Sequence, residues 1–268
     1  MTQRQSEQTP NPGRHGERPR PDGSDTADFG FEDVPASDKA AHVRAVFERV
    51  ADRYDLMNDL MSGGIHRIWK AILLDRLNPR PSETLLDVAG GTGDLAEGYL
   101  RRGGRTAIVC DINAAMMTAG RRRAATTARR PDDLRWVCGN AEHVPLPTCS
   151  VHAYTIAFGI RNVTDRPAAL AEAYRVLKPG GRFLCLEFSL PTLPLLDAAY
   201  EAYSFRVIPL LGEVIAKDRD SYQYLVESIR RFPAPSQFAG LVEDAGLARV
   251  KVQALSGGIA TLTTGWRL

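Results

Sequence analysis

The sequence predicts a Rossmann-like α/β domain: a doubly wound, seven-stranded, mostly parallel sheet with helices on both faces and a carboxyl-terminal antiparallel hairpin. Three observations predict it. Short apolar runs alternate with helix-compatible segments from Thr84 onward, the rhythm that parallel strands with helical crossovers require. A glycine turn, Gly90-Gly91-Thr92-Gly93, follows the first of these runs and opens a helical segment. Such folds bring backbone against a ligand at that place. Two final apolar runs have no long helix between them and therefore read as a hairpin.

The elements follow in order. Residues 1–35 are rich in Pro, Gly, Arg, Gln and Asp and poor in aliphatics, so a disordered polar tail is expected there. Residues 36–268 read as one domain. Two substrate-side helices are expected within 36–80. One begins near Ser37-Asp38 and carries Val43, Val46, Phe47 and Val50 at helical spacing; the other runs from Ile65 to Leu77. Strands are placed near 84–88, 105–110, 134–138, 152–158 and 181–187, with helices near 94–102, 113–128 and 166–177. A helical lid insertion spans 190–232, with helices near 194–216 and 221–230. A helix near 235–245 and strands at 248–254 and 260–267 close the chain.

Composition narrows the class. The chain has 268 residues, 44% of them hydrophobic, and a formal net charge of +2. A core is affordable, and no basic field calls for nucleic acid. Arg121-Arg122-Arg123 and Arg129-Arg130 read as a solvated helix end and loop. The four cysteines lack CxxC spacing, so they are expected as buried free thiols in a reducing cytosol, with no metal site. No apolar run reaches the ~20 residues needed to span a bilayer, and no secretory signal is visible. The expected setting is the cytoplasm, with peripheral contact at the inner face of the membrane.

The glycine turn admits two ligands. Gly91-x-Gly93-x-x-Ala96 satisfies a relaxed dinucleotide fingerprint, and S-adenosylmethionine is the alternative. Asp87 and Asp94 flank the turn, and no Lys or Arg lies between Thr84 and Tyr99. Two carboxylates repel a pyrophosphate and attract a ligand with two positive centres, which favours S-adenosylmethionine. Asp111, at the end of the second strand, is placed to take the ribose hydroxyls or to cap the next helix. Asn140 and Ala141, after the third strand, are placed to read the adenine edge. Thr92 adds a hydroxyl at the turn. The expected cofactor set is Asp87, Gly91, Thr92, Gly93, Asp111, Asn140 and Ala141.

Two longer segments carry a resemblance. One runs from Tyr54-Asp55-Leu56-Met57-Asn58 through Ser62 and His66 to Trp69. The other runs from Arg175-Val176-Leu177-Lys178-Pro179-Gly180-Gly181 to Glu187-Phe188-Ser189. With them the chain resembles class I S-adenosylmethionine-dependent methyltransferases over residues 29–268, and specifically the ubiquinone/menaquinone biosynthesis C-methyltransferases. The Lys-Pro-Gly-Gly turn is common among class I enzymes; the Tyr-Asp-x-Met-Asn segment is far more specific. The resemblance implies methyl transfer to a ring carbon of a polyprenylated benzoquinol or naphthoquinol. That means demethylmenaquinol to menaquinol, or 2-polyprenyl-6-methoxy-1,4-benzoquinol to its 3-methyl product. The family's cofactor contacts carry over onto Thr92, Asp111, Asn140 and Ala141. Ala157 stands where members often have Ser, and His152 replaces an Asp usual in the superfamily, read as a surface substitution.

A quinol carbon is a weak nucleophile until a neighbouring hydroxyl loses its proton. Arg161 and Asn162, after the fourth strand, are expected to face the quinol oxygen, with Tyr54 and Asn58 closing the pocket. An arginine serves there by stabilising charge, since it stays protonated. Arg161→Ala is accordingly expected to lower turnover and spare cofactor affinity. His66 reads as a hydrogen-bonded structural histidine, or with Tyr54, Asn58, Arg161 and Asn162 as a base or hydrogen-bond relay near the quinol oxygen; Asp59 reads as a solvated helix charge. Glu187 either orients the pocket or forms an ion pair. The apolar stretch between Tyr203 and Ala216 reads as a lid for the tail, a bilayer contact, a homodimer or complex interface, or a core helix. The competing functions are another class I methyltransferase, a nicotinamide oxidoreductase, and a non-catalytic quinone-lipid binding or assembly protein.

Overall fold

The computed structural model describes residues 26–50, 59, 62–127, 133–191 and 219–268. It opens with an antiparallel hairpin, β1 (Thr26–Phe29) and β2 (Glu32–Pro35), leading into α1 (Ala36–Val50). Residues 26–35 thus depart from the disordered tail that their composition predicts. The reason is long range: Phe31 N donates to Glu227 Oε2 at 3.0 Å, and Arg231 donates to the Phe31 carbonyl. Composition reads a segment alone, and this one is ordered by partners almost 200 positions away.

Helix α2 (His66–Leu77) ends at Asn78, whose left-handed φ of 49° stops the helix just before Pro79. Then come β3 (Thr84–Val88), α3 (Asp94–Arg101), β4 (Thr106–Asp111), α4 (Ala114–Thr127) and β5 (Leu134–Cys138). β6 (Val151–Ala157), α5 (Arg166–Val176) and β7 (Leu177–Phe188) follow. The chain closes with α6 (Arg219–Arg231), α7 (Pro235–Asp244), β8 (Ala248–Leu255) and β9 (Ala260–Trp266). The sheet order is β5-β4-β3-β6-β7-β9-β8. Pairings from β5 through to β7 are parallel, and β9 pairs antiparallel with both β7 and β8. This is the doubly wound sheet with a terminal hairpin that the sequence predicts.

Strand β3 reads Thr-Leu-Leu-Asp-Val because both sheet faces are covered, so alternate side chains enter two separate cores. Leu85 packs with Trp69, Leu73, Tyr99, Phe188 and Leu225, contributed partly by α2, α3 and α6. Leu86 packs on the other face with Tyr154, Leu170, Phe183 and Phe238, contributed partly by α5 and α7. Asp165 starts α5 by accepting from Ala168 N at 2.9 Å. Arg267 Nη1 donates to the carbonyls of Tyr174, Arg175 and Leu177 where α5 ends.

Three expectations change here. The Lys178-Pro179-Gly180-Gly181 segment is not a free turn but part of β7, where the register against β6 jumps from Val151↔Leu177 to Ala153↔Arg182. His152 is not a surface substitution: half-buried, its Nδ1 accepts from Thr84 N at 3.0 Å, and its Nε2 lies 3.2 Å from Lys178 Nζ. Of the four free cysteines, Cys110 and Cys185 are buried as expected, but Cys138 is exposed. The helix expected at 194–216, with the apolar stretch to Ala216, lies outside the described residues. Among the described residues no helix is long and apolar enough to cross a membrane.

Candidate active site

β3, β4, β5 and β6 release their carboxyl ends around one open cleft, lined from Val88-Ala89, Asp111-Ile112, Gly139-Asn140 and Phe158-Gly159. It lies where the strand order reverses beside β3, the place where open α/β sheets bind ligands.

The turn after β3 runs through left-handed backbone at Ala89 (φ 51°), Gly91 (55°) and Gly93 (77°). A Cβ on Gly90 would stand 2.8 Å from Asp87 Oδ2 and 2.9 Å from Val109, so the position excludes side chains. Asp111 fastens this turn to β4. Its Oδ2 accepts from Gly91 N at 2.8 Å and its Oδ1 from Asn113 N at 2.7 Å. Burial raises the Asp111 pKa, opposed by the amides of Asn113, Gly91 and Ile112. Of the carboxylate's roughly four acceptor sites, those not taken by these amides remain for a ligand. Asn140 Oδ1 accepts from Glu142 N at 3.1 Å, which fixes its amide at the cleft wall beside Ala141.

The expected cofactor residues therefore divide. Gly91, Asp111, Asn140 and Ala141 line the cleft together; Asp87, Thr92 and Gly93 do not. The Thr92 hydroxyl and carbonyl accept from Arg123 at 3.3 and 2.9 Å. Gly93 caps α3 and packs so closely on Trp136 that a Cβ would approach it to 2.7 Å. Asp87 faces a narrow neighbouring recess, shared with Lys70, Ala89, Gly90, Asp94, Leu95 and Ala157. Its Oδ1 accepts from Thr155 Oγ1 at 2.7 Å, while Oδ2 is buried without a partner. Burial pushes this carboxyl up to about 7.

The charge pattern read from residues 84–99 is also revised. Lys70, from α2, places Nζ 2.6 Å from Asp94 Oδ2. Burial acts to raise the Asp94 pKa, but Lys70 outweighs it and holds the group below its usual value. Asp87, not the pair, is the carboxyl left uncompensated.

On the other side of the cleft, the single 3-10 turn Ile160–Asn162 separates two residues expected to act together. Asn162 lines the cleft, and its Oδ1 accepts from the Tyr224 hydroxyl at 2.9 Å. Arg161 turns into the core, 2% exposed. Its Nη1 donates to Glu187 Oε1 and to the Phe158 carbonyl, both at 2.7 Å, and Nε donates to Ser228 Oγ at 3.3 Å. The guanidinium lies 5.6 Å over the Phe188 ring. Arg161 does not face the cleft, which corrects the arrangement expected from sequence, and Glu187 takes the ion-pair role. Tyr54 and Asn58 lie outside the described residues. His66 is structural as expected: its Nδ1 lies 3.1 Å from Ser62 Oγ, and burial followed by Lys70 lowers its pKa. Asp59 is not merely solvated, since it pairs with Arg67 at 2.7 Å.

Several cleft residues escaped the sequence reading: Ala40, Arg44 and Phe47 of α1, Asn113 and Met116 at α4, Glu142, and Phe158. Asn113 had a signal in the Asp-x-Asn spacing after β4, since its Oδ1 accepts from Ala115 and Met116 N. Phe47 was legible only as an apolar helix position. Gly159 marks the tightest point, because a Cβ there would meet Ala89 Cβ at 2.4 Å. Gly159→Ala is expected to lower the thermal midpoint by several degrees, at about 1–3 kcal/mol for overpacking. Calorimetric melting checks this.

The ubiE/COQ5 methyltransferase family model matches residues 36–267. The chain is 54% identical over 253 residues to the ubiquinone/menaquinone biosynthesis C-methyltransferase UbiE of Caulobacter sp. (strain K31), covering 91% of this chain and 98% of that one. It is 57% identical over 249 residues to the UbiE of Methylobacterium nodulans, covering 91% and 97%. Among solved structures, a SAM-dependent methyltransferase of Thermotoga maritima superposes with a TM-score of 0.60 at 19% identity, covering 85% of this chain and all of that one. That last likeness concerns the fold.

Proposed function

The chain belongs to the ubiE/COQ5 methyltransferase family, and from that premise we propose how its cleft serves the reaction. It is a C-methyltransferase of ubiquinone/menaquinone biosynthesis and takes its methyl group from S-adenosylmethionine. The proposed acceptors are demethylmenaquinol and 2-polyprenyl-6-methoxy-1,4-benzoquinol.

The residues fit the donor. Asp111 offers acceptor sites for a ribose diol, Asn140 and Ala141 offer an amide edge for adenine, and Met116 and Ile112 supply apolar walls. The orphaned Asp87 Oδ2 marks the recess for the cationic amino-acid end, which adjoins the cleft through Ala89. S-adenosylmethionine supplies a methyl group already activated as a sulfonium. The protein's task is then to align an acceptor carbon and to stabilise negative charge on the neighbouring quinol oxygen.

Asn162 suits that second task. Its Oδ1 is taken by Tyr224, so its amide N–H groups are left to donate towards a ring oxygen. Phe47, Phe158 and Val163 give the ring and the first prenyl units an apolar surface. The observation that carries the reading is this joint lining: one cleft holds Asp111, Asn140 and Ala141 together with Asn162, Phe158 and Phe47.

The test is incubation with S-adenosylmethionine and short-chain forms of both demethylated quinols under reducing conditions, followed by mass spectrometry. Each accepted quinol should gain one methyl group on ring carbon. A protein that binds S-adenosylhomocysteine yet methylates neither ring would refute the proposal.

A further inference from the structure

The turn that carries Asn162 is held from outside, by the amino-terminal hairpin. Asp28 of β1 gathers two cations: its Oδ1 accepts from Lys39 Nζ at 2.8 Å and its Oδ2 from Arg166 Nη2 at 3.2 Å. Those cations also grip the carbonyls on either side of Asn162. Lys39 Nζ donates to Val163 O at 3.3 Å, and Arg166 Nη2 donates to Arg161 O at 3.2 Å. Lys39 is fully buried. Burial acts to raise the Asp28 pKa, but Arg166 and Lys39 outweigh it and lower it, while burial lowers that of Lys39. The next residue, Phe29, stacks on Tyr224 with centroids 4.3 Å apart and planes at 23°. Tyr224 in turn donates its hydroxyl to Asn162 Oδ1. Burial raises the Tyr224 pKa, so the phenol keeps the proton it donates.

We propose that Tyr224 is a positioning residue for methyl transfer, fixing the amide of Asn162 so that its N–H groups face the acceptor oxygen, and that the β1–β2 hairpin holds this arrangement through Phe29 and Asp28. The inference rests on the role given to Asn162 above. The Tyr224 hydroxyl could donate to an amide oxygen or accept from an amide N–H; donating to Oδ1 as it does here, it ties the Asn162 side chain to the core with the N–H groups left for the acceptor. Losing that tie lets the amide swing out of line or turn its oxygen towards a developing oxyanion, which repels it. The ring of Tyr224 packs in the core independently of its hydroxyl, so Tyr224→Phe separates orientation from packing.

The test is a double-mutant cycle on kcat with a demethylated quinol, using Asn162→Ala, Tyr224→Phe and the pair. Asn162→Ala is expected to lower kcat roughly 100-fold, as loss of an oxyanion donor does. Tyr224→Phe should lower it about 10-fold with S-adenosylhomocysteine affinity unchanged and the melting temperature down by no more than a few degrees, as loss of one hydrogen bond does. The pair should be no slower than Asn162→Ala alone, because Tyr224 acts only through Asn162. If the two losses multiply, or if Tyr224→Phe keeps full kcat, the inference is overturned. Should Tyr224→Phe fold poorly, Phe29→Leu replaces it: a smaller kcat loss that vanishes in the Asn162→Ala background supports the inference, and a loss that persists there overturns it. A wild-type protein that methylates no quinol refutes the functional reading instead, so the two failures are distinct.

Discussion

Arg161→Ala is expected to destabilise the protein by about 3–5 kcal/mol, as breaking a buried ion pair does. The guanidinium is enclosed, and its removal leaves Glu187, itself 1% exposed, as an uncompensated charge. The Phe158 carbonyl also loses a donor, and the Phe188 ring loses the cation above it. Against a total stability of ~5–15 kcal/mol, the loss reaches both activity and cofactor binding. Denaturant unfolding measures it directly. Arg161→Met combined with Glu187→Leu should recover most of the loss, since removing both charges also removes their desolvation cost. Unchanged unfolding of Arg161→Ala, with slowed turnover, would return this arginine to a direct role in chemistry.

Asp87→Asn is expected to stabilise the ligand-free protein at pH 8 and to flatten its stability against pH. The Asp87 carboxyl titrates near 7 in the fold against 3.8 as a free group, because burial disfavours its charged form. A carboxyl raised in this way supports the fold while it keeps its proton. Its contribution is full below about pH 4, declines as pH rises from about 4 to 7, and is level above that. The gap between 3.8 and about 7 corresponds to roughly 4 kcal/mol. Asparagine retains an acceptor for Thr155 Oγ1 and is neutral throughout. Melting curves at pH 5 to 8 for both proteins should therefore diverge as pH rises; parallel curves would remove the argument. Cofactor affinity should move the other way. A cation in the recess beside Asp87 favours the ionised carboxylate, so wild-type affinity should rise across the same window and that of Asp87→Asn should stay flat and weak.

Local patterning made the sheet legible. In the seven-stranded sheet, β3 and β5 fall on the expected boundaries and the other five strands within a few residues, because apolar runs, glycine turns and helix caps are local features. The donor side was half legible for the same reason: Asp111 closes β4 and Asn140 follows two residues after β5. What escaped depends on partners distant in sequence. Position at a strand end cannot tell whether Arg161 faces a ligand or Glu187, 26 residues on. A window over residues 84–99 cannot contain Lys70, which neutralises Asp94. Nor does a polar, glycine-containing segment such as Thr26–Pro35 announce a hairpin whose anchors lie on α6.

Those anchors bear on the order in which the protein is made. The donor wall assembles from pieces close in sequence; Gly91 and Asp111, for example, are 20 residues apart. The acceptor wall joins Phe31 to Glu227 and Arg231 across 196 and 200 residues, and Asn162 to Tyr224 across 62. Contacts of such separation close late, because the intervening chain must be ordered first. As synthesis proceeds, a nascent chain can build a nucleoside pocket well before α6 emerges, but it has no finished place for a quinol. Competence for methyl transfer arrives only when the β1–β2 hairpin meets α6.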